Sequence, residues 1–303
     1  MKKKRDFLTL TDLTLSEARQ VLSLAAKLKA APKGAYSDVL RGRAVAIILE
    51  KASTRTRVSF EVGVAQLGAH PVILGIQGSQ LSRGEPLRDT ARVLARYCDA
   101  IVYRTSTSAR LHEMASASVP LINALSDDGH PVQVLCDIFT MEEQLGPITG
   151  RRVAFVGDCS SNMARSFLEA APLFDFHLVL AAPEGYRPSP AEVAQAGSHV
   201  SVCGDPREAL VGVDFVNTDV WTSMGQEAEN SERLEAFEGW TVDEKLLSKA
   251  PPHATVLHCL PAHRGEEIDD ATIEGPRSRV WDQAENRLHV QKALLLWLLR
   301  IDV

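Results

Sequence analysis

The feature that most restricts the fold is an alternation of short apolar runs with longer stretches of helical spacing. Ala44 to Leu49 consists of six apolar residues, the pattern of a strand that is covered on both faces. Further apolar runs follow at Pro71 to Leu74, Ala100 to Tyr103 and Val119 to Asn123. Helix-like stretches such as Val58 to Leu67 and Leu87 to Tyr97 separate them. This alternation predicts an α/β domain with a parallel sheet.

The same alternation of apolar runs and helical stretches starts again in the second half of the chain. A helical stretch from Gln133 to Leu145 ends at Gly146-Pro147, which marks an inter-domain joint. Beyond it, apolar runs recur at Arg152 to Gly157, His177 to Ala181, Asp214 to Asp219 and Thr255 to Leu260. The 303 residues suffice for two domains of roughly 150 residues each. We therefore expect two doubly wound parallel-sheet domains, and a final apolar helix, Asn286 to Arg300, that packs against other elements.

Composition and charge exclude several classes of protein. With 33 Lys+Arg against 39 Asp+Glu the net charge is −6, so neither nucleic acid nor an anionic membrane is the expected partner. The densest apolar run, Leu294 to Leu299, is far shorter than the roughly 20 residues of a bilayer crossing, and the basic start lacks a signal peptide's apolar stretch. Five scattered cysteines without a C-x-x-C pair favour a reducing, cytoplasmic compartment over a disulfide framework or a zinc knuckle.

Candidate site residues follow the apolar runs, because open α/β sheets bind ligands at the carboxyl ends of their strands. Ser53-Thr54-Arg55-Thr56-Arg57 comes after the first run and opens a helix. Hydroxyls and guanidiniums beside the free N–H groups of a helix start form an anion cradle. The two arginines oppose the helix dipole, a cost that a bound phosphate would offset. Arg104 follows the run Ala100 to Tyr103 and is predicted to point into the same cleft.

Other polar side chains occupy comparable positions. His130 and Gln133, three residues apart at a helix start, can face one ligand, and a neutral imidazole with an amide suits a carbonyl better than a metal. Gly157 follows a strand, but the missing glycines of G-x-G-x-x-G disfavour a dinucleotide. Asn162 reads equally well as an N-cap or as an amide for a polar ligand. Cys259, at a strand end, is either a structural thiol or a cleft residue.

These motifs resemble those of the aspartate/ornithine transcarbamylase family. Ser53-Thr54-Arg55-Thr56-Arg57, Arg104 and His130-Pro131-Val132-Gln133 resemble the carbamoyl-phosphate half of that family. Asp219 with Ser223-Met224-Gly225, together with His258-Cys259-Leu260-Pro261, resembles the amino-acid-binding motifs of its ornithine branch. Asn162 matches the asparagine that holds ornithine there, and the resemblance spans essentially the whole chain.

The resemblance implies a transcarbamylase fold and a reaction. Residues 1–146 would bind carbamoyl phosphate, residues 147–285 would form a Rossmann-like ornithine-binding domain, and residues 286–303 would return as a helix to the first domain. The implied enzyme transfers the carbamoyl group of carbamoyl phosphate to the δ-amine of L-ornithine, giving L-citrulline and phosphate in arginine biosynthesis. It needs no cofactor or metal, and it is a homotrimer or an assembly of trimers.

The resemblance also assigns roles to individual residues. The groups expected to bind carbamoyl phosphate are Ser53, Thr54, Arg55, Thr56, Gln80, Arg104, His130, Gln133, Leu260 and Arg287. Those expected to hold ornithine are Asn162, Asp219, Ser223 and Met224. The expected catalytic residues are Arg104, His130, Thr56 and Cys259. Gln133, the Leu260 carbonyl and Arg287 would address the carbamoyl nitrogen, and Gln80 would reach into a neighbouring subunit's site.

Three alternatives stay open at the level of sequence. A transcarbamylase could act on putrescine or an N-acylated ornithine, but Asp219 argues for an amino acid whose free α-ammonium pairs with the carboxylate. A non-catalytic regulatory relative would not need every group that is aimed at the reacting carbonyl. A nucleotide-dependent dehydrogenase is disfavoured by the missing glycines.

Overall fold

The computed structural model describes residues 4–75, 83–222 and 229–303. The chain forms two compact units, Met1–Cys136 with Glu285–Val303, and Asp137–Ala284. Each unit is an α/β structure around one all-parallel sheet, which confirms the predicted fold class. The boundaries that the sequence places at residues 146 and 285 stay a prediction about the ligand-binding domains.

The first unit contains a four-stranded sheet. Its strands are β1 (Ala44–Leu49), β2 (His70–Gly75), β3 (Ala100–Arg104) and β4 (Leu121–Leu125). Its helices are α1 (Leu15–Ala30), α2 (Thr54–Gln66), α3 (Leu87–Tyr97), α4 (Ser108–Met114) and the start of α5 (Pro131–Leu145). The strand order is β2-β1-β3-β4, so the chain adds β2 on one side of β1 and β3 on the other. The carboxyl ends of β1 and β3 therefore flank the topological switch point, where such sheets bind ligands.

Both faces of this sheet are covered, which explains the unbroken apolar run of β1. On one face Ala46 and Ile48 belong to a buried cluster with apolar residues of α3 and α4. Helix α12 (Val280–Leu299) packs closely on α2. A side chain at Gly63 of α2 would have little space, since an added Cβ would lie only 3.2 Å from Lys292 Cγ. Lys292 Nζ also donates to Gln66 Oε1 at 2.9 Å. The end of the chain thus packs on the first unit, as the resemblance implied.

The second unit contains a five-stranded sheet. Its strands are β5 (Arg152–Val156), β6 (His177–Ala181), β7 (Val200–Cys203), β8 (Phe215–Thr218) and β9 (Thr255–His258). Its helices, besides the end of α5 and the start of α12, are α6 (Asn162–Phe174), α7 (Pro190–Ala196), α8 (Pro206–Ala209), α9 (Asn230–Ala236), α10 (Glu244–Leu247) and α11 (Asp270–Ile273). The order β7-β6-β5-β8-β9 places a switch point between β5 and β8.

Two further features complete the description. Short 3-10 helices span Leu10–Asp12 and Gly197–His199. Helix α1 begins with a capping box, in which the Thr14 side chain accepts from Glu17 N while the Glu17 carboxylate accepts from Thr14 N. Among the helices of the described ranges, none has both the length and the apolar character that a membrane crossing requires.

Candidate active site

The carboxyl end of β1 leads directly into the start of α2. Ser53 is the N-cap residue, and its Oγ accepts from Thr56 N at 3.4 Å. Thr54 and Arg55 follow in a first turn that contains no acidic residue. Free N–H groups beside a guanidinium favour an anion here. Arg57, which the sequence also placed in this cradle, is more than half exposed and pairs with Glu61 at 3.4 Å, on the outer side of α2.

Thr56 lies at the centre of a buried polar cluster. Its Oγ1 is 2.9 Å from Ser53 Oγ, 3.0 Å from Arg287 Nη2 and 3.4 Å from Arg104 Nη1. Arg287 Nη1 donates to Gln133 Oε1 at 2.7 Å. Two guanidiniums, an amide and two hydroxyls are therefore held at one place, contributed by the ends of β1 and β3, by α5 and by α12.

His130 lies directly before α5 and is 5% exposed. Burial and the positive charges of Arg287 and Arg104 hold the pKa of its imidazole well below 6.5. The ring is therefore neutral near pH 7 and keeps one N–H that can donate to a carbonyl oxygen. This is the protonation state that the sequence favoured for a carbonyl-binding role.

The buried neutral His130 predicts a pH dependence of stability. Its folded pKa lies below the unfolded value, so the unfolded chain takes up the proton first as the pH falls, and stability is lost below about pH 6.5. Below about pH 6.5 the free energy of unfolding should fall less steeply with decreasing pH in His130→Gln than in the native protein. We expect the two slopes to differ by up to about 1.4 kcal/mol per pH unit. Urea unfolding of both proteins between about pH 5.5 and 7.5 measures this slope. Parallel curves for the two proteins would contradict the buried neutral ring.

Glu50 fixes the backbone of Arg104 and holds the side chains next to it. Its backbone N donates to Arg104 O at 2.9 Å, and its carboxylate accepts from Thr105 Oγ1 at 2.6 Å, from Arg110 Nε at 2.9 Å and from the Tyr103 hydroxyl. Although burial acts to raise it, these hydrogen bonds from Arg110, Thr105 and Tyr103 hold the pKa of Glu50 below its ordinary value. Glu50 was not among the site residues predicted from the sequence. Its signal was a carboxylate directly after a buried strand.

In the second unit the loop between β5 and α6 carries Asn162. Asp158 in this loop accepts from Ser160 N at 2.9 Å and from Arg233 Nη1 at 2.7 Å. Ser161, not Asn162, is the N-cap residue, since its Oγ accepts from Ala164 N at 3.3 Å. The Asn162 side chain therefore does not cap the helix. The carboxylate of Asp158, at the position of a phosphate loop, further opposes a dinucleotide.

Asp219 and Cys259 follow the neighbouring strands β8 and β9. Cys259 Sγ donates to Asp219 Oδ1 at 3.1 Å, and Val220 N donates to the same oxygen at 2.8 Å. Burial raises the pKa of Asp219, although the hydrogen bonds from the Cys259 thiol and from Val220 N act against this. An ammonium group that bound beside this buried carboxylate would form an ion pair with it and so stabilise its ionised form.

A buried imidazole–carboxylate pair supports the turn that contains Cys259. His258 Nδ1 accepts from Leu260 N at 2.9 Å and so carries no proton, which leaves the proton on Nε2. Nε2 donates to Glu267 Oε1 at 2.9 Å, and both side chains are fully buried. Leu260 itself has a positive φ of 58°. Glu267, whose partner lies nine residues earlier, was not among the site residues predicted from the sequence.

Two groups of side chains in the described part of the chain could hold a metal ion. They are Asp219 with His258 and Cys259, and His263 with Glu266 and Glu267, and the ligand atoms of each group lie within 4.8 Å of one another. In the first group both ring nitrogens of His258 already have hydrogen-bond partners. A metal there would have to break one of these bonds.

The structure thus places most of the predicted site residues in two clusters. In the first unit it brings Thr56 together with Ser53, Arg104, Gln133 and Arg287, and His130 lies within their electrostatic reach. In the second unit it joins Asp219 to Cys259, directly before Leu260. The predicted residues Gln80, Ser223 and Met224 lie outside the described residues.

Comparison with known proteins identifies both halves of the chain. The carbamoyl-P binding domain of aspartate/ornithine carbamoyltransferase matches residues 5–143, and the Asp/Orn binding domain of that family matches residues 149–298. A protein of Sorangium cellulosum named ornithine carbamoyltransferase is 69% identical over 99% of both chains. A protein of Geobacter sulfurreducens with the same name is 51% identical over 98% of this chain and 99% of its own.

Solved structures agree with the sequence comparison. The ornithine carbamoyltransferase of Burkholderia thailandensis superposes with a TM-score of 0.90 at 44% identity, over 97% of this chain and 98% of its own. That of Pyrococcus furiosus gives a TM-score of 0.89 at 44% identity, over 97% and 96% of the two chains. Together the two domain models cover nearly the whole sequence. The chain therefore belongs to the aspartate/ornithine carbamoyltransferase family.

Proposed function

We propose that this protein transfers the carbamoyl group of carbamoyl phosphate to the δ-amine of L-ornithine, giving L-citrulline and phosphate. The observation that carries the proposal is the cluster around Thr56, where Arg104 and Arg287 lie with a neutral imidazole and a primary amide at a helix N-terminus. These groups match a small molecule that has a phosphate, a carbonyl oxygen and an amide nitrogen.

The phosphate of the substrate is expected at the start of α2. There Ser53, Thr54 and Arg55 offer hydroxyls, free N–H groups and a guanidinium. The carbonyl oxygen is expected beside Arg104, His130 and Thr56. As the amine attacks, negative charge grows on this oxygen, and fixed donors stabilise it more than they stabilise the ground state.

The carbamoyl nitrogen needs an acceptor, because an amide NH2 group donates its hydrogens. Gln133 Oε1 supplies one, while Arg287, whose guanidinium only donates, holds Gln133 Oε1 at 2.7 Å. We therefore assign Arg287 a positioning role toward this nitrogen, rather than the direct contact that the resemblance implies. The carbonyl of Leu260 is the further acceptor that the resemblance assigns.

L-Ornithine is the proposed second substrate. Asp219 would pair with the α-ammonium group, and Asn162, Ser223 and Met224 are the other groups that the resemblance assigns to the amino acid. Cys259 donates its thiol proton to Asp219, and a thiol sulfur can also act as an acceptor, here for a hydrogen bond from the δ-amine.

The transfer breaks one bond and forms another. The neutral δ-amine attacks the carbamoyl carbon, the C–N bond forms, and the C–O bond to phosphate breaks. The proton that the amine loses leaves with the phosphate as hydrogen phosphate, so no external acid is consumed. Holding two small polar substrates in line removes much of the entropic barrier.

The setting of the reaction is part of the same proposal. We assign the protein to arginine biosynthesis and to the cytoplasm, where its five free cysteines would stay reduced. We also propose a homotrimer, or an assembly of trimers, in which Gln80 reaches a neighbouring subunit's site. Sedimentation of the purified chain at three times its mass of 33.1 kDa tests the trimer.

A panel of amines tests the proposed substrate. Given carbamoyl phosphate and L-ornithine, the purified protein should release phosphate and form a ureido product. We expect kcat/KM with L-ornithine to be at least about a hundredfold above that with putrescine or N-acetylornithine. Only L-ornithine presents the charged α-ammonium together with the α-carboxylate. Colorimetric assays of both products measure this ratio. Preferred turnover of another amine would contradict the substrate, and no turnover at all would favour a regulatory binder.

A further inference from the structure

Strand β9 forms an edge of the second sheet, so its outward backbone groups need partners from outside the sheet. At Val256 the chain itself provides them, because Val256 N donates to Arg277 O at 2.8 Å and Arg279 N donates to Val256 O at 2.9 Å. The next outward N–H belongs to His258. The segment that pairs with Val256 continues into α12 and no longer runs along the strand at His258. There a side chain provides the acceptor instead, since Gln283 Oε1 accepts from His258 N at 2.9 Å.

The orientation of Gln283 is fixed by a buried carboxylate. Gln283 Nε2 donates to Asp137 Oδ1 at 2.6 Å, and neither side chain is more than 1% exposed. An ionised carboxylate only accepts, so the amide nitrogen must face Asp137 and the amide oxygen must face His258. Asp137 Oδ2 also lies 3.5 Å from Asn217 Nδ2, two residues before Asp219. Asp137 therefore contacts Gln283, which holds the end of β9, and Asn217, which is a residue of β8 itself.

The residue held in this way directly precedes Cys259. His258 is fixed at its N–H by Gln283 and at its ring by Glu267 and Leu260 N. The direction of the Cys259 side chain follows from this fixed backbone. We infer that Gln283, oriented by Asp137, is a positioning residue that keeps the Cys259 thiol against the carboxylate of Asp219. The kinetic part of this inference rests on the proposed function, whereas the thiol's reactivity does not.

The test compares two buried glutamines of the same helix. Gln283→Met removes the acceptor for His258 N at similar side-chain length. Gln291→Met is the matched control, because Gln291 is 1% exposed and its amide makes no hydrogen bond within the described ranges. Alkylation of Cys259 by iodoacetamide, followed by peptide mass spectrometry across a pH series, reports the thiol directly. Circular dichroism first establishes that both variants are folded.

In the native protein the Asp219 carboxylate accepts the thiol proton and disfavours the thiolate. A displaced thiol would ionise more readily, so we expect Gln283→Met to speed alkylation by about fivefold or more near pH 8 and to move the profile to lower pH. Gln291→Met should follow the native profile. A Gln283→Met profile that superposes on the native one would overturn the inference.

Asp137→Asn provides a variant that keeps the buried volume, for use if Gln283→Met does not fold. The new amide can donate to Gln283 Oε1 and turn the glutamine around, so that His258 N loses its acceptor. We expect the same direction of change, and an unaltered profile would refute the orienting role of Asp137. In steady-state kinetics, Gln283→Met should change kcat or the KM for ornithine by about tenfold, whereas Gln291→Met should leave both within about twofold of the native values. If the alkylation profile changed as expected but the protein did not carbamoylate ornithine, the proposed function would be contradicted and the positioning role of Gln283 would stand.

Discussion

Arg104→Ala is expected to lower kcat/KM by about a hundredfold to a thousandfold, the loss of about 3–4 kcal/mol that accompanies removal of one oxyanion donor. Arg104 ends β3 at the switch point, its Nη1 is 3.4 Å from Thr56 Oγ1, and Glu50 fixes its backbone. The guanidinium is thus placed where charge develops on the carbamoyl oxygen and on the leaving phosphate. Steady-state kinetics with carbamoyl phosphate and L-ornithine measure the effect.

Arg57 provides the matched control for Arg104. It is an arginine of the same sequence motif, but it is more than half exposed and pairs with Glu61 one helical turn away. Arg57→Ala should therefore stay within about twofold of the native kcat/KM, since exposed pairs of this kind contribute at most about 0.5 kcal/mol. A loss below tenfold for Arg104→Ala, or equal losses for the two variants, would mean that Arg104 is structural.

Asp219→Asn is expected to raise the KM for L-ornithine by about thirtyfold or more, because loss of one partner of a desolvated charge pair costs about 2–5 kcal/mol. The KM for carbamoyl phosphate should change little, since Asp219 is not among its proposed contacts, and all of these except the Leu260 carbonyl are in the other unit. Asp219 accepts from Cys259 Sγ and Val220 N, and an asparagine oxygen can keep one of these bonds. Initial rates with each substrate varied in turn separate the two KM values.

Asp205 is a suitable control for Asp219. It caps the short helix α8 and pairs with Arg207 at 2.8 Å at the surface. Asp205→Asn retains the capping oxygen and should leave both KM values within about twofold, because exposed pairs contribute little. If Asp219→Asn raised both KM values equally, Asp219 would support the site as a whole rather than bind the ammonium group.

The fold was predictable where the buried pattern is continuous. The run Ala44 to Leu49 became β1 with its predicted bounds, because a strand covered on both faces must be apolar throughout. Strand β7 was missed, since Val200–Cys203 is a four-residue edge strand in which Val202 is 38% exposed. Such a strand carries too few buried residues for periodicity to reveal it.

The candidate site was predictable where residues follow strands, and not where they act through others. Arg104 ends β3, and Asp219 and Cys259 directly follow β8 and β9, so their positions in the sequence pointed to them. Glu50 and Glu267 are carboxylates whose role depends on partners that are distant in sequence or hidden in a turn. No local pattern distinguishes them from surface acids, and only the folded chain shows that both are buried.

The two-segment make-up of the first unit has a consequence for synthesis on the ribosome. Arg287 is made 231 residues after Thr56 and 154 residues after Gln133, yet it donates to both. A nascent chain that has released residues 1–136 therefore holds most of the proposed phosphate-binding groups without the guanidinium of Arg287, which links Thr56 to Gln133. The proposed carbamoyl-phosphate site can therefore be completed only after the whole second unit, residues 137–284, has been made.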